Sequence, residues 1–176
     1  MSASRPAAGE YAPFFQGYVA RVPEEEILPV LEGQVGEIRR LAASVPAERE
    51  TFRYAPEKWS VREVFGHLGD TERLFGYRAM AIARGGREPL AGFDENASVT
   101  RAGFDAVPLG GLEAGWAAAR RSNVLLLRHL PAEAWTRTGT ADGKPISVRA
   151  LAWILAGHVR HHQDVFRDRY GLGGGA

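Results

Sequence analysis

Four segments of the 176-residue chain repeat their apolar residues at intervals of three and four, and this periodicity limits the fold more than any other feature. The segments cover residues 24–45, 60–84, 109–130 and 147–170, and nothing of comparable length alternates like a strand. None of these amphipathic helices buries its apolar stripe alone, so the stripes must pack against one another. The sequence therefore predicts an all-α four-helix bundle.

Local signals mark where these helices begin and end. Ser60 and Glu63 have the spacing of a capping box at the start of the second helix, and Gly85 is expected to end that helix. Ser147 is expected to open the fourth helix. In the first helix, Pro29 requires either a start a few residues after residue 24 or a kink.

The third helix carries a polar residue on its apolar stripe. The stripe consists of Leu112, Trp116, Ala119, Leu126 and Leu130. Asn123 occupies a position on the same stripe, so it either lines a pocket or fixes the register of the bundle.

The connection between the second and third helices is longer than an antiparallel hairpin needs. It is therefore a crossover, a loop of the functional site, or both. Its residues Asp94, Glu95 and Asn96 either cap the site or form a turn.

The segments outside the four helices are expected to belong to the same domain as the bundle. Segments 46–59 and 131–146 carry aromatic residues and are expected to pack over an end of the bundle. We expect one domain over residues 1–176, with an N-terminal extension over 1–22 and a flexible tail over 171–176.

The composition excludes several classes of protein. Hydrophobic residues make up 45% of the chain, and its 22 basic and 21 acidic residues nearly cancel, so no overall charge favours nucleic acid or acidic lipid. No apolar run is long enough for a membrane span, and the N-terminal segment lacks the apolar core of a secretory signal, which predicts a cytoplasmic protein. Because cysteine is absent, disulfides, zinc–thiolate sites and a cysteine nucleophile are excluded.

Histidines interrupt the apolar stripe of the fourth helix. That stripe consists of Val148, Leu151, Leu155, His158, His162 and Val165. At about 100° per residue, His162 lies within about 10° of the stripe, whereas His161 is turned away from it by roughly 100°. The i, i+4 pair of His158 and His162 suits a metal ion, because both imidazoles reach one point.

A third histidine, His67, lies on the second helix beside the apolar stripe. If both helices start at the same end of the bundle, His67 lies at a similar depth to His158. Three imidazoles leave coordination positions open for water or substrate, as in catalytic metal sites. The alternative is that these histidines are structural core residues with hydrogen-bonded rings.

Three stretches resemble the DinB-like superfamily, which includes the YfiT-type metal-dependent hydrolases and thiol-dependent transferases. They are WSVREVFGHLGDTER at 59–73, AGFDENA at 91–97 and GHVRHHQD at 157–164. The resemblance implies a four-helix bundle with a long connection between helices two and three. It also implies one divalent ion per chain, nickel or zinc, held by His67, His158 and His162. The resemblance further implies a homodimer and a small-molecule substrate.

Several neighbours of the histidines are candidates for supporting roles. Glu63, Asp70 and Thr71 lie within about a turn of His67, where any of them could orient its free ring nitrogen. Arg78 lies three turns along the same face and could anchor a substrate carboxylate.

The sequence leaves the reaction open between hydrolysis and thiol transfer. A metal ion activates water for hydrolysis or holds a thiolate, and a chain without cysteine would take that thiol from a low-molecular-weight cofactor. No H-E-x-x-H, G-x-S-x-G or P-loop motif supports a different enzyme class. The non-enzyme alternatives are a metal-binding stress or accessory protein and a purely structural bundle.

Overall fold

The computed structural model describes residues 4–173. Its α-helices are α1 (Gln16–Ala20), α2 (Ile27–Ala43), α3 (Val61–Ala83), α4 (Glu95–Ala102), α5 (Leu109–Arg128) and α6 (Val148–Tyr170). Two short strands, β1 (Thr138–Ala141) and β2 (Lys144–Ser147), pair antiparallel.

The four long helices α2, α3, α5 and α6 form the predicted bundle, so the all-α fold class is confirmed. Helix α3 packs between α5 and α6, and α2 packs between the same two helices on the other side. Helices α2 and α3 are therefore diagonal to each other although they are consecutive in the chain. Within the described residues, none of the helices has the length and apolarity needed to cross a membrane.

The predicted helix boundaries hold because the signals for them are local. In α3, Ser60 Oγ accepts a hydrogen bond from Glu63 N (3.1 Å), and the Glu63 carboxylate accepts one from Ser60 N (2.8 Å). Gly85, at φ 83°, follows the end of α3. Helix α2 begins at Ile27 and not at residue 24, which places Pro29 in the first turn, where its missing N–H is not needed.

The predicted stripe of α5 is displaced by about one residue, a rotation of about 100°, from the face that is buried, although its members Trp116 and Leu130 are buried as predicted. The residues of α5 that are buried are Leu109, Glu113, Trp116, Ala117, Arg120, Val124 and Leu127. Leu112, Ala119 and Leu126 are only partly buried. The error arose because Glu113 and Arg120 lie on the buried face, and a pattern drawn from apolar residues cannot include them.

A β-hairpin precedes α6, which the periodicity did not predict. Asp142 and Gly143 form its turn, with φ of 52° and 68°, as expected for an Asp-Gly turn of type I′. Ile146 on β2 and Trp135 before β1 are buried in the core, so this segment packs on the bundle as predicted.

The N-terminal segment 1–22, predicted to be an extension, contributes to the core over the residues described. Val19 and Val22 are fully buried, and α1 packs against α6. The contact depends on Gly157, because a methyl group there would overlap the backbone carbonyl of Tyr18.

At the other end of the chain, Gly171 (φ 63°) ends α6 and Leu172 is buried against the core. The rest of the predicted tail, 174–176, lies outside the described residues, as do residues 1–3.

The long connection between α3 and α5 contains α4, whose first turn is capped by Asp94 through a 2.9 Å hydrogen bond from Ala97 N. Beyond α4, the ring of Phe104 lies directly on the backbone of Gly66 in α3. This contact leaves no room for a Cβ at position 66, and it holds the connection against the half of α3 that carries His67.

Candidate metal centre

Three histidines from two helices meet in the core of the bundle. Nε2 of His158 lies 2.9 Å from Nε2 of His67 and 3.1 Å from Nε2 of His162. The ring centroids are 4.5 to 5.1 Å apart and the rings are steeply inclined to one another. The structure therefore brings together the three predicted imidazoles with the same ring nitrogen of each directed at a common point.

Helices α3 and α6, which carry the three histidines, are antiparallel. The sequence-based assumption that they start at the same end of the bundle was therefore wrong. The hydroxyl of Tyr170, at the end of α6, donates a hydrogen bond to the carbonyl of Trp59, which precedes α3. His158 nevertheless lies at the depth of His67, because it is the eleventh of the 23 residues of α6 and is close to the middle of that helix whichever end is counted from.

Burial keeps the three imidazoles neutral. His67, His158 and His162 are only 2%, 5% and 7% exposed. Desolvation, with a smaller effect from His161, lowers the pKa of His67 to about 4. Desolvation and then the neighbouring imidazoles hold the pKa values of His158 and His162 well below the usual value. Neutral imidazole is the form that binds a metal ion.

Hydrogen bonding alone does not satisfy this cluster. A ring nitrogen carries either a proton or a lone pair, so Nε2 of His158 can form a hydrogen bond with only one of its two neighbours. The other contact then lacks a proton directed along it, so it is not a hydrogen bond of normal geometry. A tetrahedral ion bound at 2.0–2.1 Å would hold its ligands about 3.3 Å apart and accept all three lone pairs. The donor set and its spacing therefore fit a divalent metal ion.

The outer nitrogens of the triad lack the partners that the sequence suggested. Among residues 4–173, Nδ1 of His67 and Nδ1 of His162 have no hydrogen-bond partner. The carboxylate of Glu63 is engaged in the capping box of α3, and Asp70 lies 3.7 Å from Arg73. Thr71 is buried and lines a cavity. None of these three residues orients the ring of His67.

A cavity of about 370 Å³ opens beside His158. Aromatic residues of its wall include Phe15, Tyr18 and Phe75, and charged residues line it as well. The ring of Tyr18 lies edge-on to the ring of His158, with centroids 5.5 Å apart. A ligand in this cavity would have direct access to the histidine cluster.

Arg78 also lines this cavity, as its predicted role requires. Its side chain is 5% exposed, and its Nη2 donates a hydrogen bond to the carbonyl oxygen of Ala91 (2.6 Å). Desolvation by burial lowers the pKa of the guanidinium from its ordinary value.

A second, smaller cavity of about 240 Å³ lies on the other side of the triad. It is lined by His162 and by His161, which is half-buried and faces the flank of α6 as predicted. Asn96 of α4 lines this cavity, whereas the preceding Glu95 lines the larger one. Helix α4 thus covers both approaches to the histidines.

Asn123 bonds within the core and does not line either cavity, so its predicted pocket role is not supported. Its amide donates to the backbone oxygen and to Oε1 of Glu72 (2.9 and 2.8 Å). Gly76 makes room for this contact, since a methyl group there would overlap the amide. Asn123 therefore joins α5 to α3 in the core, which is the arrangement that the alternative role, fixing the register of the bundle, requires.

A buried polar network beyond the histidines was missed by the sequence analysis. Arg120 of α5 donates to Glu72 of α3 (2.8 Å) and to Gln34 of α2 (2.6 Å). Gln34 in turn donates to the carbonyl of Ala156 in α6 (2.8 Å). The only available signal was that Arg120 follows Trp116 by one helical turn, which places a charge on the buried face of α5.

Comparisons with known proteins agree with this fold. The family model of the DinB superfamily matches residues 31–165. YfiT from Bacillus subtilis, described as a probable metal-dependent hydrolase with an unusual four-helix bundle topology, superposes with a TM-score of 0.71 at 19% identity, covering 82% of this chain and 86% of its own. A DinB-like protein of Bacillus subtilis, YjoA, superposes with a TM-score of 0.57 at 21% identity, covering 82% of this chain and 91% of its own. No curated protein sequence matches the chain.

Proposed function

Because the chain belongs to the DinB superfamily, we propose that its three-histidine cluster binds one divalent ion, zinc or nickel, and that the protein is a metal-dependent enzyme acting on a small electrophilic molecule. The observation that carries this proposal is the convergence of three neutral imidazoles at the wall of a cavity, with Nε2 of His158 2.9 Å from Nε2 of His67 and 3.1 Å from Nε2 of His162. The structural similarity to YfiT, which is described as a probable metal-dependent hydrolase, supports the same proposal.

The proposed ion would supply Lewis-acid chemistry: a lowered pKa for bound water or thiol and polarisation of an electrophile. Three protein ligands are the number found in catalytic zinc sites, where a further position is kept for water or substrate. The protein's own residues would hold the ion and shape the site around it. His67, His158 and His162 would provide the lone pairs that hold the ion, and the aromatic side chains beside His158 would limit the access of bulk water to the reacting groups.

Two nucleophiles are consistent with this site. Water gives hydrolysis, which is the reaction class named in the description of YfiT. A thiolate gives thiol transfer, and because the chain has no cysteine, that thiol would have to come from a low-molecular-weight cofactor.

Turnover assays distinguish these possibilities. Metal-free, zinc-loaded and nickel-loaded protein would be assayed with aryl esters and anilides, and with chlorodinitrobenzene in the presence or absence of a low-molecular-weight thiol. We expect activity that follows metal occupancy and disappears in His162→Ala. Dependence on added thiol identifies transfer, whereas activity without thiol identifies hydrolysis.

Two results would contradict the proposal. Activity that survives complete metal removal would show that the ion does not take part. A fully loaded protein without turnover on either panel would instead favour the alternative of a metal-binding accessory protein.

A further inference from the structure

The buried arginine of the cavity wall lacks the partner that a buried cation normally has. Nη2 of Arg78 is hydrogen-bonded to the carbonyl of Ala91, but its Nε has no partner among residues 4–173. Arg120, the other deeply buried arginine named above, has the carboxylate of Glu72 at 2.8 Å. A cation buried without an anion is unfavourable unless a ligand provides one.

The carboxylates around the cavity do not pair with Arg78, although burial, which lowers the pKa of the guanidinium, is opposed by a smaller attraction from Asp142 that raises this pKa. Asp94, Glu95 and Asp142 line its mouth and are exposed. No carboxylate of the described chain lies within 4.0 Å of the guanidinium, the distance at which Lys144 and Asp142 still count as an ion pair. Lys144 also lines the cavity, but it is exposed and lies 4.0 Å from Asp142. Arg78 is therefore the buried cation of the cavity lining that has no carboxylate within ion-pair distance.

The guanidinium is also held in one orientation. Its carbon atom lies over the Phe75 ring, 5.5 Å from the ring centre, and the hydrogen bond to Ala91 fixes one nitrogen. A guanidinium carries five N–H donors in a planar fork, so the donors not used by Ala91 retain the geometry that matches a carboxylate.

The remaining walls favour an apolar molecule. Phe15, Phe75 and Phe93 line the cavity together with Leu74, and its volume of about 370 Å³ suits a small organic ligand. His158 lines the same cavity. A ligand held at one end by Arg78 would thus have its other end directed toward the histidines.

The helix geometry limits the distance between the guanidinium of Arg78 and the histidines that such a ligand would span. Arg78 follows His67 on α3 by eleven residues, or about 16 Å along the helix axis. The side chains of both residues lean toward the N-terminus of α3, and the longer arginine reaches further, so the guanidinium lies nearer to the histidines than this axial distance.

We propose that the cavity binds a small carboxylic acid with an apolar body, its carboxylate on Arg78 and its other end toward His158. Its role as substrate rests on the function proposed above, but recognition of the carboxylate by Arg78 does not require the metal ion.

A matched pair of probes tests this recognition. Isothermal titration would compare 3-phenylpropanoate with 3-phenylpropanamide, which has nearly the same shape without the charge. The metal-free protein is used first, so that the probe cannot bind to an ion. We expect the acid to bind about tenfold more tightly than the amide, as one charge-assisted interaction predicts.

Three variants assign the preference to one side chain. Arg78→Met keeps an unbranched apolar side chain at this position and should bind acid and amide equally. Arg78→Lys should retain part of the preference because it keeps the charge. Arg73→Met changes an exposed arginine of the same helix and should leave the preference unchanged. Thermal unfolding of each variant confirms that it is folded.

Equal binding of acid and amide by the wild-type protein, binding of neither, or an undiminished preference in Arg78→Met would overturn the proposal. The metal-free measurement separates this outcome from failure of the proposed function. A protein that never binds a metal ion could still show the Arg78-dependent preference, and a metal enzyme could lack it.

Discussion

Glu72 of α3 and Arg120 of α5 form an ion pair of 2.8 Å in the middle of the bundle, with side-chain exposures of 1% and 0%. Gln34 and Asn123 complete the hydrogen bonding of this pair. The network thereby links the two diagonal helices α2 and α3 through α5, next to the helix that carries two of the three histidines.

Removal of one charge from this pair should destabilise the protein strongly. Glu72→Gln leaves the guanidinium of Arg120 buried without its counter-charge, for which we expect a loss of about 3–5 kcal/mol in the free energy of unfolding. The control is Asp168→Asn, which weakens an exposed pair with Arg167 and should leave the free energy of unfolding nearly unchanged, because water screens the pair. Urea denaturation measures the free energy of unfolding of both variants. Equally small losses in the two would show that the buried ion pair contributes no more to stability than the exposed one.

The close packing of α1 on α6 predicts a large effect of a single methyl group. In Gly157→Ala the new methyl overlaps the carbonyl of Tyr18, so α1 must move and the cavity wall formed by Tyr18 moves with it. We expect a loss of about 1–3 kcal/mol in the free energy of unfolding.

Gly33→Ala is the matched control for this substitution. Position 33 is an exposed helical site with open space around it, so alanine there should raise the free energy of unfolding by about 0.5–1 kcal/mol. A similar stabilisation by Gly157→Ala would contradict the observed packing.

The buried histidines predict that the metal-free protein loses stability in acid. The pKa of His67 is lowered to about 4 from an ordinary value of 6.5, so between these pH values the unfolded chain binds more protons than the folded one. The free energy of unfolding should therefore fall as the pH decreases from 6.5 toward 4, by on the order of 3 kcal/mol for His67 alone. His158 and His162, whose pKa values are also lowered, add to the effect.

Comparison with a triple variant isolates this contribution from that of the carboxyl groups. The variant His67→Gln/His158→Gln/His162→Gln should show a smaller decrease in stability over the same pH range. Identical pH dependence in the two metal-free proteins would mean that the histidines are not buried as neutral groups.

Features encoded within one helix could be predicted from the sequence. The capping box needs only Ser60 and Glu63, and the pairing of His158 with His162 follows from their spacing on α6. Position 67 could be added because it lies beside the apolar stripe of its own helix.

Features that depend on two distant segments could not be predicted in the same way. Arg120 and Glu72 are 48 residues apart, and nothing local indicates that their charges neutralise each other. The antiparallel arrangement of α3 and α6 depends on the path of the connections between them. The turn signal at Asp142 and Gly143 was present in the sequence, but its strands of four residues are too short for a clear alternating pattern.

The metal content of protein purified without a histidine tag tests the central claim most directly. Elemental analysis after incubation with excess zinc or nickel and removal of free ion should find close to one divalent ion per chain in the wild type. His162→Ala should lose the ion, because it removes one of the three converging Nε2 atoms, whereas the half-buried His161 lies outside the cluster and His161→Ala should retain it. Stoichiometric metal in the His67→Ala/His158→Ala/His162→Ala variant, or no metal in the wild type, would contradict the account.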